Sequence, residues 1–432
     1  MRKSIQEYKR SGVMCLAPWM SAHTFPNGDV FPCCVWDCDH PIGNINDKPL
    51  PEIWNDEPLK DIRKKMLNDE EVEGCKRCYT IDMTTGYSLR NKIAKDYPVA
   101  WDEILDTKED GEVDDMKLRL WDFRLSNFCN LRCRSCGPDL SSSWFKDSNA
   151  LYPKRQLDKA LITINDKVSF MDMIKDQYQY VEEIYFAGGE PLSTPEHFQI
   201  LEELIRIGNT DIRLRYSTNF TNLTFKGKHI SEYWKHFSHL EVLVSLDGVG
   251  VKGEYIRKGL DYDSLIVNLK WLNDSNIKLS SAGFVVTYGV MNYLDLFDIV
   301  LDFIDRDLID LNYRQDSGTR GAIFSPIYGP DYYDCRFLPD KFKTKFKLRL
   351  DGFFDELIDK GMDKDMAMFL VSELQKVYNN SLTESFSKQV MNNFVSTTRK
   401  LDEIRKEKFQ DLYPEFSFPL DFITNEKIWI AN

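Results

Sequence analysis

Three of the ten cysteines in this 432-residue chain lie within eight residues, in the stretch LSNFCNLRCRSCGP at 125–138. Cys129, Cys133 and Cys136 directly follow KLRLWDFRLS, a run whose composition predicts a β-strand. An odd number of thiols does not suit a disulfide framework, and zinc sites usually draw their ligands in pairs. Three thiolates can hold three irons of a [4Fe–4S] cluster and leave the fourth iron open for another ligand. A zinc knuckle with a fourth ligand from elsewhere is the alternative.

The composition is that of a folded globular protein without an excess of basic residues. Apolar residues make up 42% of the chain, charged residues 29%, and the formal net charge is −13. This charge disfavours charge-driven binding to nucleic acid or an acidic membrane, and no run approaches the ~18 apolar residues of a membrane span. The N-terminal MRKSIQEYKRSGVMCLAPWM has too short an apolar part for a signal peptide. We expect a cytoplasmic protein, where clustered thiols indicate metal or catalysis more often than disulfides.

Three zones follow one another along the chain. Residues 1–105 are loop-rich and hold six of the ten cysteines, and the acidic DTKEDGEVDD at 106–115 is typical of a solvated linker. From 116 to 328, β-rich runs alternate with helical spans such as SLIVNLKWLNDS, and 329–432 is expected to be mostly helical. The predicted strands are KLRLWDFRLS, EEIYFAGGE, DIRLRYSTNF, LEVLVSLDG, IKLSSAGFVVT and IDLNYRQ. This alternation predicts an α/β fold of parallel βα units, an open sheet or a partial barrel, with its chemistry at the carboxyl ends of the strands.

Short polar motifs stand at the ends of successive strands. AGGEP (187–191) follows the second strand, YSTNF (216–220) ends the third, VSLDG (244–248) ends the fourth, and YIRKG (255–259) comes next. Taken alone, each of these motifs is more often an ordinary turn that joins a strand to a loop. Together with CNLRCRSC, and in this order, they resemble the motifs of the radical S-adenosylmethionine (SAM) enzymes over residues 117–320.

The resemblance implies a partial (β/α)6 TIM-type barrel that binds SAM beside a [4Fe–4S] cluster on Cys129, Cys133 and Cys136. The positions that match the family's SAM contacts are Ser135, Gly188, Gly189, Glu190, Ser217, Asn219, Ser245, Asp247 and Arg257. The residue before the third cysteine is aromatic or large in the family, and Ser135 stands there in this chain. We therefore expect the adenine to pack elsewhere, on Phe128.

In this family the open iron takes the amine and carboxylate of SAM, and Glu190 would hold the amine. Reductive cleavage of the sulfonium then gives a 5′-deoxyadenosyl radical that removes hydrogen from an unactivated carbon. The cofactors supply this chemistry, while the protein orients them and excludes water and oxygen.

A second group of cysteines lies in the N-terminal zone. Cys15 and Cys33 are separated by seventeen residues, and GCKRC supplies Cys75 and Cys78. Four thiolates can ligate a cluster completely, and a structural zinc ribbon is the equal alternative on ligand type alone. The glycine hairpin, the GNI turn, the Trp-bearing helix and the final C-x2-C resemble the twitch domain, a shortened SPASM domain that normally follows the barrel. The resemblance implies one auxiliary [4Fe–4S] cluster on these four cysteines, within a domain spanning 1–105.

The remaining cysteines have simpler interpretations. We expect Cys34 and Cys38 to be small buried residues, with alternative cluster ligands as the second reading. Cys335, in YYDCRF, is a candidate hydrogen donor to a substrate radical, and an ordinary partly buried cysteine is the alternative.

The resemblance implies a radical SAM oxidoreductase that oxidises or cross-links a peptide or protein, with the auxiliary cluster as electron acceptor. It also implies an external electron donor such as flavodoxin or ferredoxin. A small-molecule dehydrogenase or epimerase acting on a sugar or nucleoside-like metabolite is the second hypothesis. A zinc-binding interaction protein is the alternative from a different class.

Overall fold

The computed structural model describes residues 3–84, 88–154, 157, 163–164, 167–309, 321–327 and 329–416. The strands are β1 (Ser21–Thr24), β2 (Asp29–Phe31), β3 (Gly43–Asn44), β4 (Leu120–Phe123), β5 (Arg132–Cys133), β6 (Glu183–Phe186), β7 (Arg213–Thr218), β8 (Thr224–Phe225), β9 (Lys228–His229), β10 (His239–Ser245), β11 (Arg257–Lys258), β12 (Leu279–Tyr288) and β13 (Gly321–Pro326). The α-helices are α1 (Ile5–Lys9), α2 (Ala17–Met20), α3 (Leu50–Trp54), α4 (Glu57–Leu67), α5 (Lys76–Thr84), α6 (Leu89–Asp96), α7 (Ala100–Glu103), α8 (Phe145–Leu151), α9 (Lys167–Met173), α10 (Pro195–Ile207), α11 (Ser231–Trp234), α12 (Gly250–Ile256), α13 (Tyr262–Asp274), α14 (Leu296–Asp305), α15 (Asp340–Asp359), α16 (Lys364–Ser381), α17 (Lys388–Arg405) and α18 (Phe409–Leu412).

The chain forms two compact units, each assembled from separated segments. The first unit comprises Met1–Phe128, Leu161–Ser217 and Glu232–Leu240. The second unit comprises Cys129–Ala160, Thr218–Ser231 and Glu241–Asn432. The predicted division into domains at 1–105, 116–328 and 329–432 stays a prediction.

A sheet with strand order β7-β6-β4-β1-β2-β3 forms the first unit. Strands β1, β4, β6 and β7 run parallel, and β2 and β3 add an antiparallel hairpin next to β1. The N-terminal hairpin therefore continues the same sheet as the first predicted βα strands. Gly28, with φ +93°, closes the turn between β1 and β2, where a side chain would be strained.

The two faces of this sheet differ in character. One row across the strands consists of buried apolar side chains. Next to this row, the ring of Trp121 packs against Tyr178 and the ring of Phe123 packs against Phe170. The members of that row are Ala22, Trp121, Ile184 and Leu214, each at most 2% exposed. On the opposite face, His23 lies beside Asp122 and Tyr185 beside Arg215. The apolar face is the core of the unit, whereas the other face is polar.

The N-terminal zone differs from the loop-rich region predicted for it, because residues 50–103 are mostly helical. Helix α4 buries Leu59, Ile62 and Met66 at helical spacing, and Asp56 caps its N-terminus by accepting a hydrogen bond from the backbone N–H of Glu57. These helices are mostly shorter than the window over which helical periodicity can be recognised.

The acidic stretch at 106–115 is exposed at most of its acidic positions, as predicted, yet it is anchored. Thr107, Gly111 and Val113 are buried, and a side chain at Gly111 would lie 2.3 Å from the Lys60 carbonyl oxygen. The amide of Asn55 donates to the Val113 carbonyl oxygen at 2.9 Å. The stretch is therefore part of the first unit and is not a free linker.

The second unit contains β10, β12 and β13, with β12 and β13 parallel. Helices α13 and α14 form where they were predicted, and 340–405 is almost entirely helical. The predicted strand IDLNYRQ lies, from residue 310 onward, outside the described residues. The strand that pairs with β12 is Gly321–Pro326, which was not predicted because its glycine, serine and proline give a weak β signal.

The predicted α/β fold class with parallel strands is confirmed. Within the part of the chain described here, no helix combines the length and the apolar character needed to cross a membrane.

Candidate functional site

The loop that carries Cys129, Cys133 and Cys136 is held in the second unit by hydrogen bonds to its own backbone. The hydroxyls of Ser143 and Ser141 donate to the carbonyl oxygens of Cys129 and Leu131 at 2.7 and 2.6 Å. The indole N–H of Trp144 donates to the Cys133 carbonyl oxygen at 2.8 Å. Short strand β5 within the loop pairs antiparallel with β11, which sets Arg257 opposite Cys133. The loop is thus a fixed platform for its three thiols.

Two of the predicted SAM-binding residues lie directly at these sulfurs. The side-chain amide of Asn219 is 3.8 Å from Sγ of Cys129, and Nη1 of Arg257 is 3.8 Å from Sγ of Cys133. Burial raises the pKa of Cys133, and the nearby positive charge of Arg257 opposes that rise. Burial and the neighbouring Cys133 raise the pKa of Cys136 to about 12. Thiols in this setting ionise when a cation such as iron binds them.

Asp247 and Arg257 form a buried ion pair beside the cysteine loop. Oδ2 of Asp247 lies 2.9 Å from Nε of Arg257, and the Asp247 side chain is fully buried. The contact lacks the directionality of a hydrogen bond, so neither of these two atoms has a hydrogen-bond partner among the described residues. Such unused capacity is costly unless a ligand satisfies it. The ribose hydroxyls and the carboxylate of SAM are groups that would do so, and the residues present fit this cofactor.

A network of buried ion pairs ties the cysteine loop to the C-terminal helices of the second unit. Asp147 accepts from Arg132 and Arg405, each at 2.8 Å, and Arg405 also donates to the Arg132 carbonyl oxygen at 2.9 Å. Arg134 donates to Asp402 at 2.5 Å and lies 3.8 Å from the Tyr255 ring centroid. We call Arg132, Arg134, Asp147, Asp402 and Arg405 the C-terminal clamp. No sequence motif indicated it.

The Gly188–Glu190 turn in the first unit is shaped by close backbone contact. Gly188 adopts φ +115°, and a side chain at Gly189 would lie 2.1 Å from the Phe128 carbonyl oxygen. The backbone N–H of Glu190 donates to that same oxygen at 2.7 Å. The Glu190 side chain is 1% exposed, and its Oε1 accepts from the Leu192 N–H at 3.0 Å. The turn therefore holds the Glu190 carboxylate in one defined position, and its backbone is anchored to Phe128, the residue that precedes Cys129 in the sequence.

We expect Gly189→Ala to destabilise the protein and weaken SAM binding, because the new methyl group displaces the Phe128 carbonyl that Glu190 uses. Overpacking of this kind typically costs about 1–3 kcal/mol. Urea unfolding and equilibrium dialysis of SAM measure the two effects. Gly12→Ala is the matched control, since nothing lies within 4 Å of a side chain at Gly12. Equal behaviour of both variants would contradict the prediction.

The other predicted SAM contacts are less defined. Ser217 is half-buried at the end of β7, where its hydroxyl hydrogen-bonds to Tyr185, and Ser245 is the half-buried last residue of β10. Ser135 is half-buried, and Phe128, the predicted adenine surface, is 37% exposed. Their roles stay predictions.

The four N-terminal cysteines predicted as ligands line one cavity of the first unit. Cys15, Cys33, Cys75 and Cys78 border it together with Gly74 and Arg90. Burial, together with the neighbouring thiols, raises the pKas of Cys15 and Cys75 to about 12, and Arg90 opposes the rise. A side chain at Gly74 would lie 2.5 Å from the Trp36 ring, so the glycine permits the close turn before Cys75. Four adjacent thiols, two of them buried and two half-buried, fit a fully ligated cluster.

Cys34 and Cys38 were predicted to be buried, and this prediction is wrong: both side chains are exposed. They lie in the irregular segment after β2, which has no regular periodicity from which burial could be judged. Cys335 is 1% exposed in the turn Cys335–Phe337, and burial raises its pKa to about 12. Its role as a hydrogen donor stays a prediction.

Among the described residues, no group of three or more His, Cys, Asp or Glu side chains is arranged to hold a single metal ion. A [4Fe–4S] cluster places each thiolate on a different iron and therefore spreads its ligands more widely than one ion does.

Residues 123–300 match the family model of the radical SAM superfamily, and residues 15–79 match SPASM, an iron–sulfur cluster-binding domain. The chain therefore contains a radical SAM superfamily domain. It carries its SPASM domain N-terminal to the radical SAM domain, and its cofactors are SAM, a [4Fe–4S] cluster and the iron–sulfur complement of the SPASM domain. The comparison with curated proteins gave no match.

Solved structures of low identity resemble the chain. One is native anSMEcpe with bound AdoMet, 20% identical, covering 55% of this chain and 61% of that chain at a TM-score of 0.38. Another is SuiB of Streptococcus suis bound to S-adenosylmethionine, 12% identical, covering 83% of this chain and 69% of that chain at a TM-score of 0.34. SuiB bound to the precursor peptide SuiA is 13% identical, with 83% and 68% covered and a TM-score of 0.34. The chain thus spans 61% of the length of the first of these structures.

Proposed function

We propose that this enzyme reductively cleaves SAM and abstracts a hydrogen atom from a substrate carbon, oxidising or cross-linking a peptide or protein. The observation that carries the proposal is the contact of Asn219 and Arg257 with the sulfurs of Cys129 and Cys133. Residues from three separate motifs thereby meet at one loop of the second unit. If these motifs were only turns at the ends of strands, their side chains would not need to contact the cysteine sulfurs.

The residues of the chain have distinct roles in this proposal. When bound, the cluster and SAM together supply the electron transfer and the carbon radical. Cys129, Cys133 and Cys136 would hold the cluster and leave one iron available to the amine and carboxylate of SAM. Asp247 and Arg257 offer a hydrogen-bond acceptor and a donor to SAM, and Glu190 holds its amine. The burial of Asp247 and Glu190 excludes water from these contacts.

The N-terminal cysteines are proposed to hold one auxiliary [4Fe–4S] cluster that accepts the electron left after hydrogen abstraction. With a proton lost from the same substrate, the overall change is a two-electron oxidation. We further propose a cytoplasmic location and an external donor such as flavodoxin or ferredoxin, which would supply the electron for SAM cleavage. A small-molecule dehydrogenase or epimerase is the second hypothesis, with Cys335 as the hydrogen donor in the epimerase case.

Anaerobic reconstitution with iron and sulfide tests the proposal. We expect about eight irons per chain, brown absorbance, and 5′-deoxyadenosine once SAM and dithionite are added. Metal analysis and liquid chromatography measure these quantities. Stoichiometric zinc without SAM cleavage would instead support the zinc-binding interaction protein.

A further inference from the structure

One charged side chain borders the cavity that the four N-terminal cysteines line in the first unit. Of the described residues on the wall of this cavity, Arg90 alone carries a charge at neutral pH. Besides the cysteines, the other wall residues are Val35, Gly74, Leu89 and Ile93. A wall of apolar groups lowers the local dielectric constant, so a charge within it acts strongly on its neighbours.

The guanidinium of Arg90 is held in place by hydrogen bonds from all three of its nitrogens. Nε and Nη2 donate to Oδ2 of Asp82 at 2.8 and 2.6 Å. Nη1 donates to the carbonyl oxygens of Ser11 and Met14 at 3.3 and 3.2 Å. Met14 directly precedes Cys15 in the sequence. The charge of Arg90 is therefore fixed to the backbone that presents the first of the four thiols.

Asp82 is the ionic partner of Arg90, and it lies farther from the thiols in its electrostatic effect. It is not among the described residues that border the cavity, and its Oδ1 accepts from the Ser88 N–H at 3.1 Å. Burial is the main cause of the raised pKa of Cys15; Arg90 opposes this rise, and Asp82 adds to it by less than Arg90 takes away. The ion pair, whose side chains are 11% and 12% exposed, thus presents its positive end to the thiols although its net charge is zero.

A positive charge next to an iron–sulfur cluster favours the reduced state of that cluster. Four thiolate ligands make a [4Fe–4S] cluster negative, and each added electron makes it more negative. Its reduction potential depends on this net charge, on hydrogen bonds to its sulfurs and on its exposure to solvent. Because the attraction to a cation increases with every added electron, a fixed cation raises the reduction potential.

We propose that Arg90 raises the reduction potential of the auxiliary cluster and so adapts that cluster to accept the electron left on the substrate, an inference that rests on the auxiliary cluster of the proposed function. In this step the substrate radical gives up one electron and one proton, and the cluster is reduced by that electron. Arg90 ligates no iron and carries no proton in the reaction. It acts only through its field at the cluster.

Reconstituted Cys129→Ala protein, which lacks one ligand of the SAM-binding cluster, allows the auxiliary couple to be measured alone. A redox titration followed by electron paramagnetic resonance gives its midpoint potential. In this background we expect Arg90→Gln to lower the potential, so that the ratio of reduced to oxidised cluster at a fixed potential falls about tenfold, or about 59 mV for one electron. Arg90→Lys should keep most of the potential, because the positive charge remains.

A variant of the ionic partner should shift the potential in the opposite direction. Asp82→Asn removes the negative end of the pair and is expected to raise the potential, while Arg90 keeps the Ser11 and Met14 carbonyl oxygens as partners. A general loosening of the fold would expose the cluster to water in both variants and would shift both potentials in the same direction. Arg206→Gln, at an exposed arginine of α10, is the matched control and should leave the potential unchanged.

Equal potentials of Arg90→Gln and its parent, or shifts of the same sign in Arg90→Gln and Asp82→Asn, overturn the inference. If Arg90→Gln no longer holds iron, the sign of the shift in Asp82→Asn decides alone. Zinc in place of iron at the four thiols overturns both the inference and the auxiliary cluster.

The SAM cleavage of the chain with all its cysteines separates this inference from the proposed function. Formation of 5′-deoxyadenosine, together with potentials that do not respond to Arg90 and Asp82, overturns only the inference. Opposite shifts of the potential in a chain that does not cleave SAM overturn the proposed function and leave the effect of Arg90 on the cluster supported.

Discussion

Cys129→Ala is expected to lower the iron content from about eight to about four per chain and to abolish formation of 5′-deoxyadenosine. In the proposed site this thiol is one of three that would leave a single iron corner open, so its loss would remove the position at which SAM would be held. Asn219 also loses the sulfur that it contacts at 3.8 Å. Iron analysis and liquid chromatography of the reconstituted variant measure both effects.

Two further cysteine variants make this result specific. Cys75→Ala should also lower the iron to about four, but by removing the auxiliary cluster, and it should still cleave SAM. Cys38→Ala, at an exposed side chain, should keep all the iron and the SAM cleavage of the wild type. Sustained SAM cleavage by Cys129→Ala would refute the assignment of this loop.

Asp147→Asn is expected to lower the free energy of unfolding by about 3–5 kcal/mol, the usual cost of breaking a buried ion pair. Asp147 and Arg405 are both fully buried, and their Oδ2 and Nε atoms lie 2.8 Å apart. Burial already lowers the pKa of Arg405, and Asp147 is the neighbour that stabilises its charge. Loss of the carboxylate leaves that charge without compensation inside the second unit. Urea unfolding followed by circular dichroism measures the change.

A second variant distinguishes the charge effect from a general loss of packing. Asp147→Asn combined with Arg405→Met should recover most of the lost stability, because the fully buried Arg405 charge is then removed and the other partner of Asp147, Arg132, is 26% exposed to water. Glu203→Gln, in an exposed pair with Arg206, should cause no measurable change. If the double variant is less stable than Asp147→Asn, the clamp does not act through its charges.

The fold was predictable where strands follow a clear pattern. Strands β4, β6 and β7 lie inside the predicted runs, because aromatic and β-branched residues alternate there with polar ones. The helices between 50 and 103 were missed, since most are only one to three turns long and bury few residues each. Strand β13 was missed because it gains its stability from pairing with β12, which composition does not reveal.

The candidate site was predictable to a similar degree. Motif order placed Asn219, Asp247 and Arg257 near the cysteine loop, and the described contacts agree with that placement. The polar face of the first-unit sheet was not predicted, although the alternation in WDFR and RLRYST contains its signal. That alternation shows that one face is polar, but not which charges meet across the strands.

Local spacing was sufficient to predict a cysteine loop with one open corner, because three cysteines within eight residues stay together in any compact conformation of the chain. The partners of that loop required the folded chain. Arg405 reaches Asp147 across 258 residues and Arg134 reaches Asp402 across 268. Contacts over such separations depend on how strands and helices pack, and the pairing of buried charges is stable only after that packing has excluded water.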